Sequence, residues 1–503
     1  MFHEIDKLVT LDRGAESSLR DQIVDQLTAA MRDGVLVPGD PLPSSRSLAA
    51  ALGVARTTVV ACYLRLEGEG WLYSNHGSGT FVADRPDERD RPDGRSRPDG
   101  RGRPDGRGRP DGRAAVGPAG AAAGRPAGPA GIPASDEPPA PAFDLIPGNL
   151  DPSVLATPRW RAAFRAAPAT GTVPPASGLP ALRAALAEYL RSARGLACRP
   201  EEIVLCAGTA EGLTVVGLAL GWPGLAVAME DPGYPAVSAV LRRIGARVVP
   251  IAVDGPVSVL AGLRRLPAPP VAVYLTPSHQ YPLGHRLHEE ERRGLLEWSA
   301  DTGAVLLEDD YDGEFRFGVA PLPSLAGLDP SAGTIYLGTL SKVLDPALRI
   351  AYLRIPPRLL DAVLASRADL GSTTSGSAQE AVLRMLRSGE LARHIARARR
   401  LYADRRWAVL QALAAVPAVT RIRGMEAGLH LVAELAPGVR TAVLVAEAAE
   451  RGVHVEDLDS FRAQPDPDRP ALVIGYSALA PAQLRLAVDR LGSCPELTRL
   501  AHP

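Results

Sequence analysis

Lysine is rare in this 503-residue chain: of 56 basic residues only Lys7 and Lys342 are lysine, and all the others are arginine. Arginine-biased codon usage accounts for that bias. A lysine in such a chain persists by chance or because the position needs a primary amine, since a guanidinium serves most ion pairs but cannot condense with an aldehyde. Lys342 follows the apolar run Ile335-Tyr336-Leu337-Gly338-Thr339 and Leu340-Ser341, which places its amine at the end of a predicted buried strand, where a Schiff base can form. Seven residues on, Arg349 can reach a phosphate, helped by the hydroxyls of Thr339 and Ser341. Upstream, Leu307-Glu308-Asp309-Asp310-Tyr311 puts carboxylates just past another predicted strand, and a fixed carboxylate keeps a pyridine nitrogen protonated so that the ring can act as an electron sink. Gly208-Thr209-Ala210-Glu211 opens a predicted helix after a third strand, so its backbone N–H groups suit a phosphate. Tyr234, in Asp231-Pro232-Gly233-Tyr234, offers a face for a ring to stack on. Singly, these features read as a surface ion pair, a solvated acidic loop, an ordinary helix start and a packed turn. Together they supply an amine, a pyridinium partner, a phosphate cradle and a stacking face, the requirements of pyridoxal 5'-phosphate.

These residues need strands and helices to hold them. Ile203-Val204-Leu205, Ala226-Val227-Ala228-Met229, Val271 to Leu275, Val305-Leu306-Leu307 and Ile335-Tyr336-Leu337 read as strands, and Leu182–Leu190 and His288–Ala300 as amphipathic helices. The alternation predicts an α/β domain with a mostly parallel sheet. Near the N-terminus a different pattern holds. Leu19, Ile23, Leu27 and Met31 line one helix face, and Pro38-Gly39 ends that unit. Ser44 or Ser45 caps a second helix carrying Leu48 and Leu52, Gly53 turns the chain, and Arg56-Thr57-Thr58 opens a third helix with Val59, Val60, Tyr63 and Leu66 available to pack. Two short helices joined through a glycine turn are helix-turn-helix geometry. Trp71-Leu72-Tyr73 and Thr80-Phe81-Val82, joined at Asn75–Gly79, predict a β-wing whose glycines let the backbone approach nucleic acid.

Between the two patterns, residues 84–142 repeat an RPDGRG-like unit and then a Gly/Ala/Pro run with almost no large apolar side chains, so burial cannot offset the entropy of ordering them. They predict a flexible linker between a module at 1–83 and a domain at 143–495, with 496–503 as a tail. The formal net charge of −1 masks whatever basic face the small module carries. Cys62, Cys198, Cys206 and Cys494 lack paired spacing, which argues against a zinc site or a disulfide framework and predicts no metal. Without a secretory signal or an apolar run of membrane-spanning length, a cytoplasmic protein is expected.

Leu42-Pro43-Ser44-Ser45-Arg46-Ser47-Leu48-Ala49, then Leu52-Gly53-Val54-Ala55-Arg56-Thr57-Thr58-Val59, then Gly77-Ser78-Gly79-Thr80-Phe81-Val82 resembles the winged helix-turn-helix (α+β) domain of GntR-type regulators, over nearly all of residues 17–83. That resemblance implies double-stranded DNA as partner, contacted by Ser45 and Arg46, by Arg56, Thr57 and Thr58, and by Gly77, Gly79 and Thr80 of the wing; Ala55 stands where serine is frequent. From about Asp144 to Leu491 the chain resembles fold-type I aminotransferases and, more closely, the effector domain of MocR/GabR-type regulators. Thr276-Pro277-Ser278-His279-Gln280-Tyr281-Pro282-Leu283-Gly284, Glu308-Asp309-Asp310-Tyr311-Asp312-Gly313-Glu314-Phe315-Arg316 and Ser341-Lys342 through Leu348-Arg349 carry that likeness. It implies the internal aldimine at Lys342, Asp309 on the pyridine nitrogen, Tyr311 on the phenolic oxygen, Tyr234 against the ring, Arg349 on the phosphate and His279 or Gln280 near the ring. It also implies a head-to-tail homodimer with each linker carrying its DNA-binding module to the partner.

Three departures bear on function. Pro235-Ala236-Val237-Ser238 follows Tyr234 where relatives that sense amino acids often have arginine, and Val473-Ile474-Gly475-Tyr476-Ser477 lacks the late arginine that clamps a substrate carboxylate in aminotransferases. Thr172-Val173-Pro174-Pro175 stands where the family has a tyrosine that crosses the dimer interface to the phosphate. A transcription regulator is therefore expected, with at most partial transaminase activity. Its signal is an effector amine that exchanges with Lys342, or pyridoxal phosphate itself, a version the missing clamps favour. The alternatives are a working aminotransferase with a DNA-binding appendage and a regulator that uses the fold without cofactor.

Overall fold

In the computed structural model the described residues are 8–14, 18–68, 71–75, 79–83, 143–155, 157–167, 174–255, 258–317, 323–328, 333–371 and 374–499. The expected linker at 84–142 lies outside them, as do Gly77 of the wing and Thr172 and Val173. Among the described residues no helix is long and apolar enough to cross a membrane.

The N-terminal module contains α1 (Leu19–Arg32), β1 (Pro41–Leu42), α2 (Ser45–Leu52), α3 (Arg56–Gly68), β2 (Leu72–Asn75) and β3 (Gly79–Val82). Ser18 caps α1 by accepting from the Asp21 amide, and the four-residue spacing of Ile23, Leu27 and Met31 turns all three into the core. Ser44, not Ser45, caps α2, through the Ser47 amide, and Gly53 closes that helix at φ 62°, a left-handed conformation that favours glycine. In α3 the inward face is Val59, Cys62, Tyr63 and Leu66; Val60, expected to pack, is 36% exposed because it lies a quarter-turn past Val59. The wing strands pair as expected, Leu72 opposite Val82 through Asn75 opposite Gly79. The unforeseen β1 adds to β3, too short at two residues to leave a periodic signal.

In the second domain β4 (Phe143–Asp144), α4 (Pro152–Leu155), α5 (Pro158–Ala166) and α6 (Pro180–Arg194) precede a seven-stranded sheet. Its strands are β5 (Ile203–Cys206), β6 (Ala226–Asp231), β7 (Arg247–Ala252), β8 (Ala272–Leu275), β9 (Val305–Asp310), β10 (Thr334–Thr339) and β11 (Ala351–Arg354). Between them run α7 (Thr209–Ala219), α8 (Pro235–Arg243), α9 (Val259–Arg264), α10 (Glu289–Thr302) and α11 (Leu325–Leu328). The spatial order is β5-β11-β10-β9-β8-β6-β7, with β11 antiparallel to both neighbours and the other pairings parallel. Strands buried on both faces read as continuous apolar runs, which is why the central strands are legible in the sequence. The edge strand β7 is largely exposed and carries Pro250, tolerable only at an edge, so it gives no such run.

Next come α12 (Pro357–Asp369), α13 (Gly376–Arg387) and the 25-residue α14 (Glu390–Ala414). A second sheet is built from β12 (Val419–Arg423), β13 (His430–Leu435), α15 (Thr441–Glu450), β14 (Val453–His454), β15 (Glu456–Asp457), β16 (Ala471–Gly475) and α16 (Pro481–Gly492). Its four-stranded part runs β12-β13-β16-β15, all antiparallel, and β14 pairs with β4. Residues 496–499, expected in the tail, belong to this fold: α17 (Pro495–Thr498) buries Leu497, and buried Glu496 pairs with Arg440 at 2.7 Å.

Candidate functional site

Parallel strands end together, so side chains far apart in sequence meet at their C-terminal edge. Here Gly208 follows β5, Asp309 stands near the end of β9, and Lys342 follows β10. They line one cavity of about 350 Å³ with Tyr234, Thr209, Ala210, Tyr311, Thr339, Ser341 and Arg349. Glu308, Asp309 and Asp310 lie within β9 and are buried, so the acidic run is part of the strand rather than a loop beyond its end.

Lys342 Nζ donates to the Gly148 carbonyl at 2.7 Å, and Gly148 stands at φ 90°, a conformation that favours glycine, where a Cβ would push that nitrogen aside. Burial pulls the amine below the ordinary lysine range, against the pull of Asp312 and Asp309. A larger neutral fraction is what a nucleophilic amine needs. Asp309 accepts a hydrogen bond from Tyr274 Oη at 2.5 Å, and burial pushes its carboxyl up to about 7. Tyr311 Oη lies 2.9 Å from His279 Nδ1, itself 2.8 Å from Asp312 Oδ2. Beside them His430 Nε2 lies 2.9 Å from the Pro282 carbonyl, to which it donates, and burial pulls the imidazole down to about 3.

The opposite end of the cavity fits a phosphate. Gly208 caps α7 at φ 105°, leaving the first amides of the helix open to the cavity, and a Cβ on it would meet Arg349 Nη2 at 2.8 Å. Arg349 is the one non-glycine residue of positive φ among those described, 49°, a strained backbone that aims the guanidinium at this corner. Ser341 Oγ is buried there without a hydrogen-bond partner. An orphaned hydroxyl, a guanidinium and a helix N-terminus at one end, with an amine and a carboxyl at the other, match the donor set of pyridoxal phosphate.

Of the expected cofactor residues the fold does not bring Gln280 to the cavity: its amide donates to the carbonyls of Pro232 and Tyr281 and accepts from the Leu283 amide. His279 stands behind Tyr311 rather than on the wall. Sequence reasoning missed Tyr274, Gly148, Tyr281 and His430, all on the wall. Tyr274 had a signal, a hydroxyl inside an apolar strand run, whereas Gly148 and His430 come from segments remote in sequence.

In the N-terminal module, exposed Arg46 opens α2, and exposed Arg56 and Thr57 open α3 beside half-buried Thr58. Arg56 Nε donates to Ser45 Oγ at 3.3 Å, so the two helix N-termini present one polar face. Gly79 and Thr80 begin β3 at the described edge of the wing.

The profile of the gntR family of bacterial regulatory proteins matches residues 19–82, and that of aminotransferase class I and II matches residues 149–491. Over 492 residues the chain is 33% identical to the HTH-type pyridoxine biosynthesis transcriptional regulator PdxR of Corynebacterium glutamicum, covering 97% of this chain and 98% of that protein. It is 32% identical over 500 residues to the probable rhizopine catabolism regulatory protein MocR of Rhizobium meliloti, covering 97% and 95%. The chain belongs to the MocR-type branch of the gntR family. Its second domain has the fold-type I aminotransferase architecture: LysN, the α-aminoadipate aminotransferase of Thermus thermophilus solved with N-(5'-phosphopyridoxyl)-L-leucine, superposes with a TM-score of 0.65 at 28% identity, over 71% of this chain and 93% of that one. This MocR-type chain is thus a pyridoxal-phosphate-dependent, DNA-binding transcription regulator, a reading favoured over an aminotransferase with a DNA-binding appendage.

Proposed function

We propose that this regulator responds to pyridoxal phosphate itself rather than to an amino acid. One observation carries the reading: among the described residues lining the cavity, the cations are Lys342 and Arg349. Arg349 lies over Gly208 at the phosphate corner and Lys342 is the condensing amine, so no guanidinium of the described wall is left for a carboxylate. The flanking positions that would hold one carry Ala236, on the wall, and Val473 and Ile474, buried in β16. A carboxylate brought into this pocket would lose its hydration without a charged partner, a cost of several kcal/mol in effective terms. The pyridoxine-biosynthesis relative points the same way.

Pyridoxal phosphate supplies an aldehyde that condenses with a primary amine and a ring nitrogen that carries a proton. Lys342 presents the amine, kept partly neutral by burial. Asp309 holds the proton at the ring nitrogen, and its carboxylate is oriented by Tyr274. Tyr311, steadied by His279, sits to hydrogen-bond the phenolic oxygen, and Tyr234 covers the ring. Gly208, Thr209, Ala210, Thr339, Ser341 and Arg349 bind the phosphate. Ser45, Arg46, Arg56, Thr57, Thr58 and the wing from Gly77 to Thr80 contact the operator. We take residues 1–83 as the DNA-binding module, 84–142 as linker and 143–499 as effector domain, acting as a head-to-tail homodimer in the cytoplasm.

The test is a visible-light titration of the full chain with pyridoxal phosphate, beside Lys342→Ala, followed by borohydride and peptide mass analysis. A Schiff-base band that borohydride traps on Lys342 is expected, absent in the variant, while Lys342→Ala keeps a folded DNA-binding module. Adding a panel of amino acids should leave the band unmoved. A band that shifts with an amino acid, or repeated turnover between an amino donor and a keto acid, refutes the proposal.

A further inference from the structure

The motif from Glu308 to Arg316 holds more charge than the cofactor pocket uses. Successive strand residues point to opposite faces, so Asp310 turns away from the cavity that Asp309 lines. Asp310 is buried against Arg194 at the C-terminal end of α6 and accepts from Tyr336 Oη at 2.7 Å. Arg194 Nη2 reaches Glu314 at 2.8 Å, and Glu314 also accepts from Tyr189 Oη at 2.6 Å. Arg399 of α14 donates to the Glu314 carbonyl at 2.9 Å through Nε, and through Nη1 to the carbonyl of Glu67, near the end of α3 in the DNA-binding module. The Glu67 carboxylate closes the array on Arg400 at 2.7 Å.

Charge balance gives the contact its meaning. Within the effector domain, buried Arg194, Arg316 and Arg399 face the buried carboxylates Asp310 and Glu314, with the neutral hydroxyls of Tyr189, Tyr336 and Tyr352 around them. Three guanidinium charges against two carboxylates leave one positive charge in excess, which is costly away from water. Burial pulls both Arg316 and Arg399 down to about 10. Glu67, itself buried and from the other domain, brings a carboxylate that favours the charged form of Arg399 and is shared with exposed Arg400. The rest of this seam is less tightly packed. A cavity of about 400 Å³ opens there, its walls including Leu64 and Arg65 from α3, Ala185 and Glu188 from α6, and Leu391 and Ile395 from α14. The flanking pairs Arg65–Glu188 at 3.5 Å and Arg191–Asp25 at 3.4 Å are part-exposed and contribute little.

We propose that this buried array, Asp310–Arg194–Glu314–Arg399–Glu67, couples occupancy of the cofactor cavity to the seating of α3, the DNA-reading helix, on the effector domain. It rests on the reading of that cavity as the pyridoxal phosphate site. Asp309 and Asp310 are adjacent in one strand, so whatever fixes Asp309 at a ring nitrogen fixes the position of Asp310 against Arg194. A seam centred on a buried polar contact and flanked by a cavity can change its seating without unfolding either domain. Arg399 and Glu67 act here as positioning residues, since neither touches the cofactor cavity.

Hydrogen exchange across residues 56–68 in the full-length protein, with and without saturating pyridoxal phosphate, tests it, with the Schiff-base band recorded on each sample. In the wild type the ligand should change exchange there by about 5- to 150-fold, the usual range for coupling between sites. Glu67→Gln and Arg400→Ala, both at the seam surface, and Arg399→Lys in its interior should keep the full band and lose that change. A full band with no ligand-dependent change in the wild type, or a change that survives in Glu67→Gln, overturns the coupling and leaves the cofactor site standing. Absence of the band in the wild type overturns the cofactor reading and the coupling with it.

Discussion

Asp309→Asn should make the cofactor-free protein more stable while depriving the site of its hold on a pyridinium. The carboxyl is 4% exposed, within β9, and burial is the main reason its pKa rises from 3.8 to about 7; Asp310 and Asp312 push it further, against Tyr274 and Lys342. A group raised in this way keeps a proton in the folded state that the unfolded chain releases. Its contribution to stability is therefore fully present below the unfolded pKa and is lost as pH rises through about 7. At about 1.4 kcal/mol per unit, the ionised carboxylate costs the folded state up to about 4 kcal/mol by pH 8 and about 1.5 kcal/mol at pH 5. Asparagine carries no charge, and its amide oxygen can still accept from Tyr274. Urea unfolding of both proteins, stripped of cofactor, at pH 5, 6, 7 and 8 measures the difference. The margin of the variant over the wild type should widen from pH 5 to pH 7 and level off toward pH 8. A margin that is flat from pH 5 to pH 7, or that shrinks over that range, refutes the reasoning. With pyridoxal phosphate at a hundred times its dissociation constant the wild type should recover about 2.7 kcal/mol, and the variant should recover little at that concentration.

Gly208→Ala places a Cβ 2.8 Å from Arg349 Nη2 at a φ of 105°, so it should weaken binding of pyridoxal phosphate about tenfold or more, for a strain of about 1–3 kcal/mol. Unphosphorylated pyridoxal, titrated in parallel, should lose much less. Arg46→Ala should weaken operator binding with a log–log salt dependence shallower by about one unit, measured by fluorescence anisotropy, if the arginine meets a phosphate; an unchanged slope removes it from the interface. Burial pushes the thiols of Cys62 and Cys206 up to about 12 and that of Cys198 to about 11, so none should react with a thiol reagent at pH 8 until the chain unfolds. Rapid labelling of any of the three in the folded protein would contradict the packing around it.

Both kinds of fold, and most of the residues that line the cavity, were legible in the chain alone. Strands buried on both faces and helices with one apolar stripe leave periods that can be counted, and Lys342 stands out because arginine cannot do its chemistry. Motifs compressed into a few residues, such as Gly208 to Ala210 or Ser341-Lys342, carry their own geometry and were legible for that reason. What depends on convergence came only from the packing of distant segments. Gln280 and Tyr281 are neighbours, yet the fold turns one amide onto the backbone carbonyls of Pro232 and Tyr281 and leaves the other side chain on the cavity wall. Gly148 meets Lys342 across 194 positions, and a carbonyl leaves no mark in a sequence. Asp309 and Asp310 look alike in the chain, but the alternation of a strand gives the first to the cavity and the second to Arg194. Glu67 reads as one more charge on a helix, and only the fold, by burying it against Arg400 with Arg399 on its carbonyl, sets that charge at the seam.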